Sequence, residues 1–266
     1  RVTPAAFAAT HAAAQIATAP ALAAAGNAPL FLGHRLWEET RVALFKQSVD
    51  ERGELPRGWH PAARVSFGHG WVREGVHELF AESVALHTPL LPVVGDEDPL
   101  ACVRSGGVPR LDELRALPSG PSIVDMVANA AFLVGLTVGL REQVAWMLPA
   151  LPFEHAHRNF YRAAQLGLDA ELLWPCGDAP SPRPVSARKL LPTLLPLAQH
   201  GLVEAGIAGE EAARWLAVIA DRVACGQTGA RWQREALAAL ERGRGREEAL
   251  SALGLRYQAE SAAGRP

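Results

Sequence analysis

Glu113-Leu114-Arg115 sets a carboxylate and a guanidinium two residues apart, directly before Ala116-Leu117-Pro118-Ser119-Gly120-Pro121. In an extended segment, residues two apart share a face, so the two side chains stand together. A carboxylate so placed suits a divalent cation, and the planar guanidinium suits a phosphoryl or carboxylate oxygen. The next stretch, Ile123 to Leu140, is apolar except mainly for Asp125, Asn129 and Thr137. An acid-x-Arg strand running into an Asn-bearing helix points to nucleotide-dependent chemistry. The bland alternative is a surface ion pair beside a proline turn.

Other residues with chemistry to offer are scattered. Arg41 closes Trp37-Glu38-Glu39-Thr40-Arg41 and is a candidate carboxylate or phosphate clamp, or an arginine in a helix start whose acids complement the dipole. Glu38 and Glu39 fit capping better than metal binding. Phe67-Gly68-His69-Gly70-Trp71 offers His69 between two glycines, as pocket lining or as a tight turn, and Arg73 follows as a second anion candidate. Asp125 and Asn129, four apart, share one helical face, and a structural role suits them best. His155 and His157 alternate, so on a helix they diverge and cannot chelate one metal. Thr228-Gly229-Ala230-Arg231-Trp232-Gln233 reads as a helix start and lacks the Gly-Lys-Ser/Thr pattern of a phosphate loop.

The elements that position these residues are mostly helices. Helical patterns cover Ala5 to Ala25, Trp37 to Asp50, Trp71 to Leu86, Ile123 to Leu140 and Phe153 to Leu166. Four more follow at Ala187 to His200, Glu210 to Cys225, Ala230 to Arg242 and Arg246 to Ala259. Short strands are expected at Arg64 to Phe67 and Asp169 to Trp174, and the Pro-rich stretch after Cys176 reads as irregular. Ser122 and Asp125 are capping-type residues at the start of the long apolar helix. One domain over 1–266 is expected, with a helical C-terminal layer from about 186 to 266.

The chain has 266 residues, 49% hydrophobic and 20% charged, with a net charge of −2. That is a globular composition with ample core material, and it makes no electrostatic case for nucleic acid or an anionic membrane as partner. Arginine heavily outnumbers lysine, which reads mainly as coding bias and only weakly as a preference for oxyanions. Cys102, Cys176 and Cys225 lack zinc or redox spacing, so reduced thiols and a cytoplasmic location are expected. Ile123 to Leu140 approaches membrane-spanning length, but Asp125 and Asn129 in its first turns mark it as a buried core helix. The chain begins at Arg1, as expected of a sequence whose natural start lies upstream.

Several segments together resemble the bacterial carboxylate–amine ligases of the glutamate–cysteine ligase type. They are Gly26-Asn27-Ala28-Pro29-Leu30, Arg35 to Arg41, Phe67 to Val72, Glu113 to Pro121 and Ala128-Asn129-Ala130. Asn159 to Ala164, Gly167 to Ala170, and Thr228 to Gln233 complete the set. The resemblance implies an α+β fold like that of glutamine synthetase, an antiparallel sheet packed with helices, of which this segment is helix-rich and strand-poor. It also implies ATP and Mg2+ as cofactors, and glutamate and an amine such as cysteine as substrates, joined through an acyl phosphate. On that basis Glu113 is the metal ligand, Arg115 and Arg41 the catalytic arginines, and Arg73 and His69 cofactor-binding residues. Two departures stand out: the early metal-binding glutamates of the family's N-terminal half are not in this sequence, and Gly107-Val108-Pro109-Arg110-Leu111 runs almost directly into Glu113. Homo-oligomerisation is an open expectation, and so are a non-catalytic relative, a helical interaction module, or a ligase for another amine.

Overall fold

A computed structural model describes residues 6–48, 65–86, 117–176 and 181–264. Alanine dominates α1 (Phe7–Ala25), and every residue from Ala12 to Ala25 is buried. A helix apolar on all sides belongs at the centre of a helical layer. Around it pack α4 (Ile123–Arg141), α6 (Phe153–Leu166), α7 (Ala187–Glu204) and α8 (Gly209–Cys225). Shorter helices are α2 (Arg41–Ser48), α3 (Val76–Leu86) and α5 (Val144–Ala150); α9 (Gly229–Leu240) and α10 (Arg246–Ala262) close the chain. The last two join through a small apolar cluster of Ala236, Leu237, Ala249 and Leu253.

The α4 start follows its sequence signals. Ser122 is the N-cap, its hydroxyl accepting from the Asp125 N–H while the Asp125 carboxylate accepts from the Ser122 N–H, a complete capping box. By length and composition α4 is apolar enough to cross a membrane. Phe132, Leu133, Leu136 and Leu140 are instead buried in the main core cluster. Its tightest contact is with α7. A Cβ on Gly201 would lie 2.0 Å from the Gly135 carbonyl oxygen and 2.6 Å from the Gly139 nitrogen, so the two backbones meet where only hydrogen fits.

Two small antiparallel sheets complete a helix-rich α+β architecture. In the first, β1 (Leu30–Phe31) pairs with β2 (His34–Arg35) across a turn in which Leu32 and Gly33 have φ of 48° and 77°. Positive φ at both turn positions is the twist a two-residue hairpin requires. In the second, β3 (Glu171–Trp174) pairs with β4 (Arg183–Ser186), Leu173 standing opposite Pro184. The Leu173 N–H and C=O turn the other way and bond the side-chain amide of Asn159 at 2.7 Å each. Pro184, having no N–H, therefore leaves no gap in the ladder.

Four sequence expectations need correction. The Pro-rich stretch after Cys176 is not irregular throughout, since Arg183–Ser186 forms a strand. The Trp37 to Asp50 helix begins only at Arg41, because Glu38 and Glu39 donate their N–H groups to Gln165 and Ala164 at the end of α6. The Trp71 to Leu86 helix starts at Val76, the N–H groups of Arg73 and Glu74 being taken by the Glu78 carboxylate. Val65 to Phe67 is a bend rather than a strand. There the Phe67 ring packs on Phe153 and Phe160, and its carbonyl accepts from Gln15.

Candidate functional site

The end of α1 is the junction where segments distant in sequence meet. Asn27, just past Gly26, uses every polar group it has. Its backbone N–H donates to the Glu39 carboxylate, and its side-chain amide donates to the Ser119 carbonyl and the Tyr257 hydroxyl at 2.8 Å each. Gln233 of α9 donates back to the Asn27 carbonyl and to its amide oxygen at 2.8 and 3.0 Å. Gly229 must lack a side chain here, since a Cβ would lie 2.2 Å from the Asn27 amide oxygen and 2.8 Å from Pro121. The Ala230 N–H, in turn, donates to the Gly26 carbonyl.

Beside Asn27, Glu39 is fully buried. Burial raises its carboxyl above the usual carboxylate range, against the pull of the Asn27 N–H and the Arg41 guanidinium. Arg41 lies across it, 3.3 Å from Nε to the carboxylate, and donates through its terminal nitrogen to the Leu117 carbonyl at 2.6 Å. Arg41 therefore grips the backbone two residues after Arg115. Glu113 and Arg115 themselves lie outside the described residues. The sequence offers Arg41 two roles, an anion clamp or a helix-start arginine, and its contacts include those to Glu39 and to the Leu117 carbonyl.

Arg73 and His69 are placed elsewhere. Arg73 is exposed, and His69 pairs with Glu82 of α3. No contact among the described residues joins either to the Asn27 cluster. His157 stacks among Phe67, Phe153 and Tyr161, and its pKa is lowered by burial and by Lys46.

Behind the junction lies a buried ionic centre. Arg222 of α8 donates to the Asp125 carboxylate and the Asn129 amide oxygen at 2.7 Å each, and to the Ala24 carbonyl at 2.9 Å. Burial lowers the Arg222 pKa, with Asp125 opposing the shift. Asp125 and Asn129 thus have the structural role their spacing suggests, but their partner escaped the sequence reading. Its signal was present: Arg222 falls on the same helical face as Ala212, Leu216, Ile219 and Val223, all buried. This centre floors a cavity of about 280 Å3 that reaches Cys225, Trp232 and Tyr257.

A second cleft, about 260 Å3, opens on the other side of Thr228. Glu38, Asp169, Arg231 and Arg234 line it. Glu38 pairs with Arg234 at 3.3 Å and lies 3.5 Å from the Thr228 hydroxyl. Burial, joined by the charge of Asp169, raises the Glu38 carboxyl above its usual range, while Arg234 opposes. Thr228 caps α9, its hydroxyl accepting from the Arg231 N–H at 3.1 Å, as the helix-start reading predicts. The cleft residues Glu38, Asp169 and Arg234 were not singled out as ligands from sequence.

Fold and junction together define a helix-rich α+β protein whose cleft is built from paired arginines and carboxylates. The chain belongs to glutamate–cysteine ligase family 2 (GCS2), whose sequence profile matches residues 6–254. No curated protein and no solved structure matches it.

Proposed function

We propose that the chain carries part of the active site of an ATP-dependent carboxylate–amine ligase, with a fold of the glutamine-synthetase type, that transfers a γ-glutamyl group to an amine. The observation that carries this reading is the convergence at Asn27. Gly26 to Leu30, Trp37 to Arg41, Leu117 to Pro121 and Thr228 to Gln233, spread over some two hundred residues, are bonded to one another there. These are four of the segments on which the resemblance rests. In this reading the γ-carboxylate attacks the γ-phosphorus of ATP and ADP leaves. The amine, having lost a proton, then attacks the acyl carbon and phosphate departs.

Arg115 stabilises the charge on the transferring phosphoryl group. Arg41, through the Leu117 carbonyl, and Asn27, through the Ser119 carbonyl, hold the backbone that follows it. Magnesium is assigned to Glu113 by the family likeness alone. The described residues do not fit such an ion by themselves: they contain no group of three or more His, Cys, Asp or Glu side chains placed around a common point, and Glu39 is already committed to Asn27 and Arg41. The same reading places the protein in the cytoplasm, with glutamate and an amine such as cysteine as its partners.

The experiment mixes protein, ATP, magnesium, glutamate and candidate amines, and follows phosphate release. Amine-dependent release is expected. No release, together with no ATP binding by calorimetry, refutes the proposal; ATP binding without release favours a non-catalytic relative.

A further inference from the structure

We propose that the cleft between Glu38, Asp169, Arg231 and Arg234 binds the head group of an α-amino acid, its ammonium between the two carboxylates and its carboxylate on the two guanidinium groups. The proposal rests on the ligase reading only for which amino acid is bound.

The cleft offers both charges at once. Glu38 and Asp169 both line it, Glu38 in the turn before α2 and Asp169 at the end of the 3-10 turn Gly167–Asp169. Glu38 is held there from three sides. Its backbone N–H donates to Gln165, its carbonyl accepts from Ala28, and its side chain lies over Gly167, whose φ of 54° lets the chain turn beneath it. Only 15% of the side chain reaches solvent. Glu38 is paired with Arg234, and Asp169, its side chain 66% exposed, with Arg188; a ligand ammonium between the two carboxylates supplies a further cation to both. A cation there adds to the Arg234 contact without displacing it.

The anionic end has its own partners. Arg234 gives its terminal nitrogen to Glu38 and to the Leu36 carbonyl, which leaves its Nε buried with no hydrogen-bond partner. Arg231 is tied to Glu235 four residues on, at 3.3 Å, a contact in which both side chains are substantially exposed, 43% and 60%. Exposed helical pairs of this kind contribute about 0.3–0.5 kcal/mol, so a ligand carboxylate displaces Glu235 at little cost. Guanidinium groups bind carboxylates in a planar fork that an ammonium cannot match. A cleft of about 260 Å3 suits a small zwitterion and is small for a nucleotide. Arg188, bonded to Asp169 at 3.0 Å and packed on Gly226, keeps the Asp169 side oriented.

The test is calorimetric titration of the intact chain with L-glutamate and L-cysteine, and with two probes that each lack one charge: cysteamine, without the carboxylate, and N-acetyl-L-glutamate, without the ammonium. At least one of the two amino acids is expected to bind, and the matching one-charge probe at least tenfold more weakly. Arg231→Gln and Asp169→Asn, changes at a half-buried and an exposed position outside the core, are each expected to raise the Kd of that amino acid about tenfold. Arg231→Gln is expected to leave cysteamine binding unchanged. Failure of the wild-type chain to bind either amino acid overturns the proposal, and so do variants that bind like wild type. Phosphate release measured on the same samples separates this from the ligase reading. Turnover with unaltered KM for both glutamate and amine in the variants overturns the cleft and keeps the ligase; binding without turnover does the reverse. Which KM rises tells whether donor or acceptor occupies the cleft.

Discussion

Arg222→Met removes the cation from the ionic centre while keeping most of the side-chain volume. Arg222 is 8% exposed, and it bonds a carboxylate that is 2% exposed. The variant strands the Asp125 charge with only its Ser122 bonds, frees the Asn129 amide oxygen and removes the donor to the Ala24 carbonyl. Breaking a buried ion pair by deleting one partner costs about 3–5 kcal/mol, chiefly because the other charge stays buried and uncompensated. The lost donors to Asn129 and Ala24 push the value toward the upper end of that range. In guanidinium chloride, with a slope of about 5 kcal/mol/M, the midpoint should fall by somewhat under about 1 M.

The double variant Arg222→Met, Asp125→Asn isolates the charge. It leaves no buried ion, and asparagine still accepts from Ser122. It is expected to be more stable than the sum of the two single changes predicts, by at least about 1.5 kcal/mol. A cost below about 1 kcal/mol for Arg222→Met, or strict additivity in the double variant, refutes the argument that the pair is a tightly coupled internal support.

Gly201→Ala places a methyl carbon against backbone atoms of α4 at 2.0 and 2.6 Å. Since backbone cannot swing aside, the expected destabilisation is about 3 kcal/mol, the upper end for overpacking, and thermal melting checks it; an unchanged midpoint contradicts the close helix crossing. Glu39→Gln tests the buried acid through pH. Because burial raises the Glu39 pKa above its ordinary 4.5, its contribution to stability is full below that value and is lost as pH rises through the folded pKa. The variant should therefore gain on wild type as pH is raised from the ordinary value toward neutrality. Chemical denaturation across that range measures it, and parallel curves would count against a raised pKa.

Local patterns were the legible part of this chain. The Phe153–Leu166 helix and the stop at Gly167 follow from apolar spacing and a single glycine, and the Ser122–Asp125 cap from two residues three apart. What a local reading cannot supply is a partner far along the chain. Trp37 to Thr40 carries helical spacing yet is kept out of the helix by bonds to Gln165 and Ala164, more than a hundred residues later. Pro184 announces an irregular loop, and only the side-chain amide of Asn159 makes a strand there acceptable. For Asn27, nothing near it in sequence reveals Ser119, Gln233 or Tyr257. The likeness to a family did bring these segments together on paper, and the junction gives the physical reason: they touch.

The arginine excess acquires a different meaning in three dimensions. Arg41, Arg222, Arg231, Arg234 and Arg246 each join a carboxylate to a backbone carbonyl. The carboxylates are Glu39, Asp125, Glu235, Glu38 and Glu241 in that order. The carbonyls are those of Leu117, Ala24, Gly226, Leu36 and Gly33, all at helix ends or in the segments between helices, where acceptors are left without an intrahelical donor. A planar fork with five donors serves both partners at once, whereas a lysine ammonium on a flexible stem holds neither in a fixed direction. Coding bias accounts for arginine being common; it does not account for arginine being repeated at these joints. Two of these five, Arg231 and Arg234, also line the cleft beside Thr228. The contacts that support the fold therefore also fix the positions of the two guanidinium groups that line this cleft.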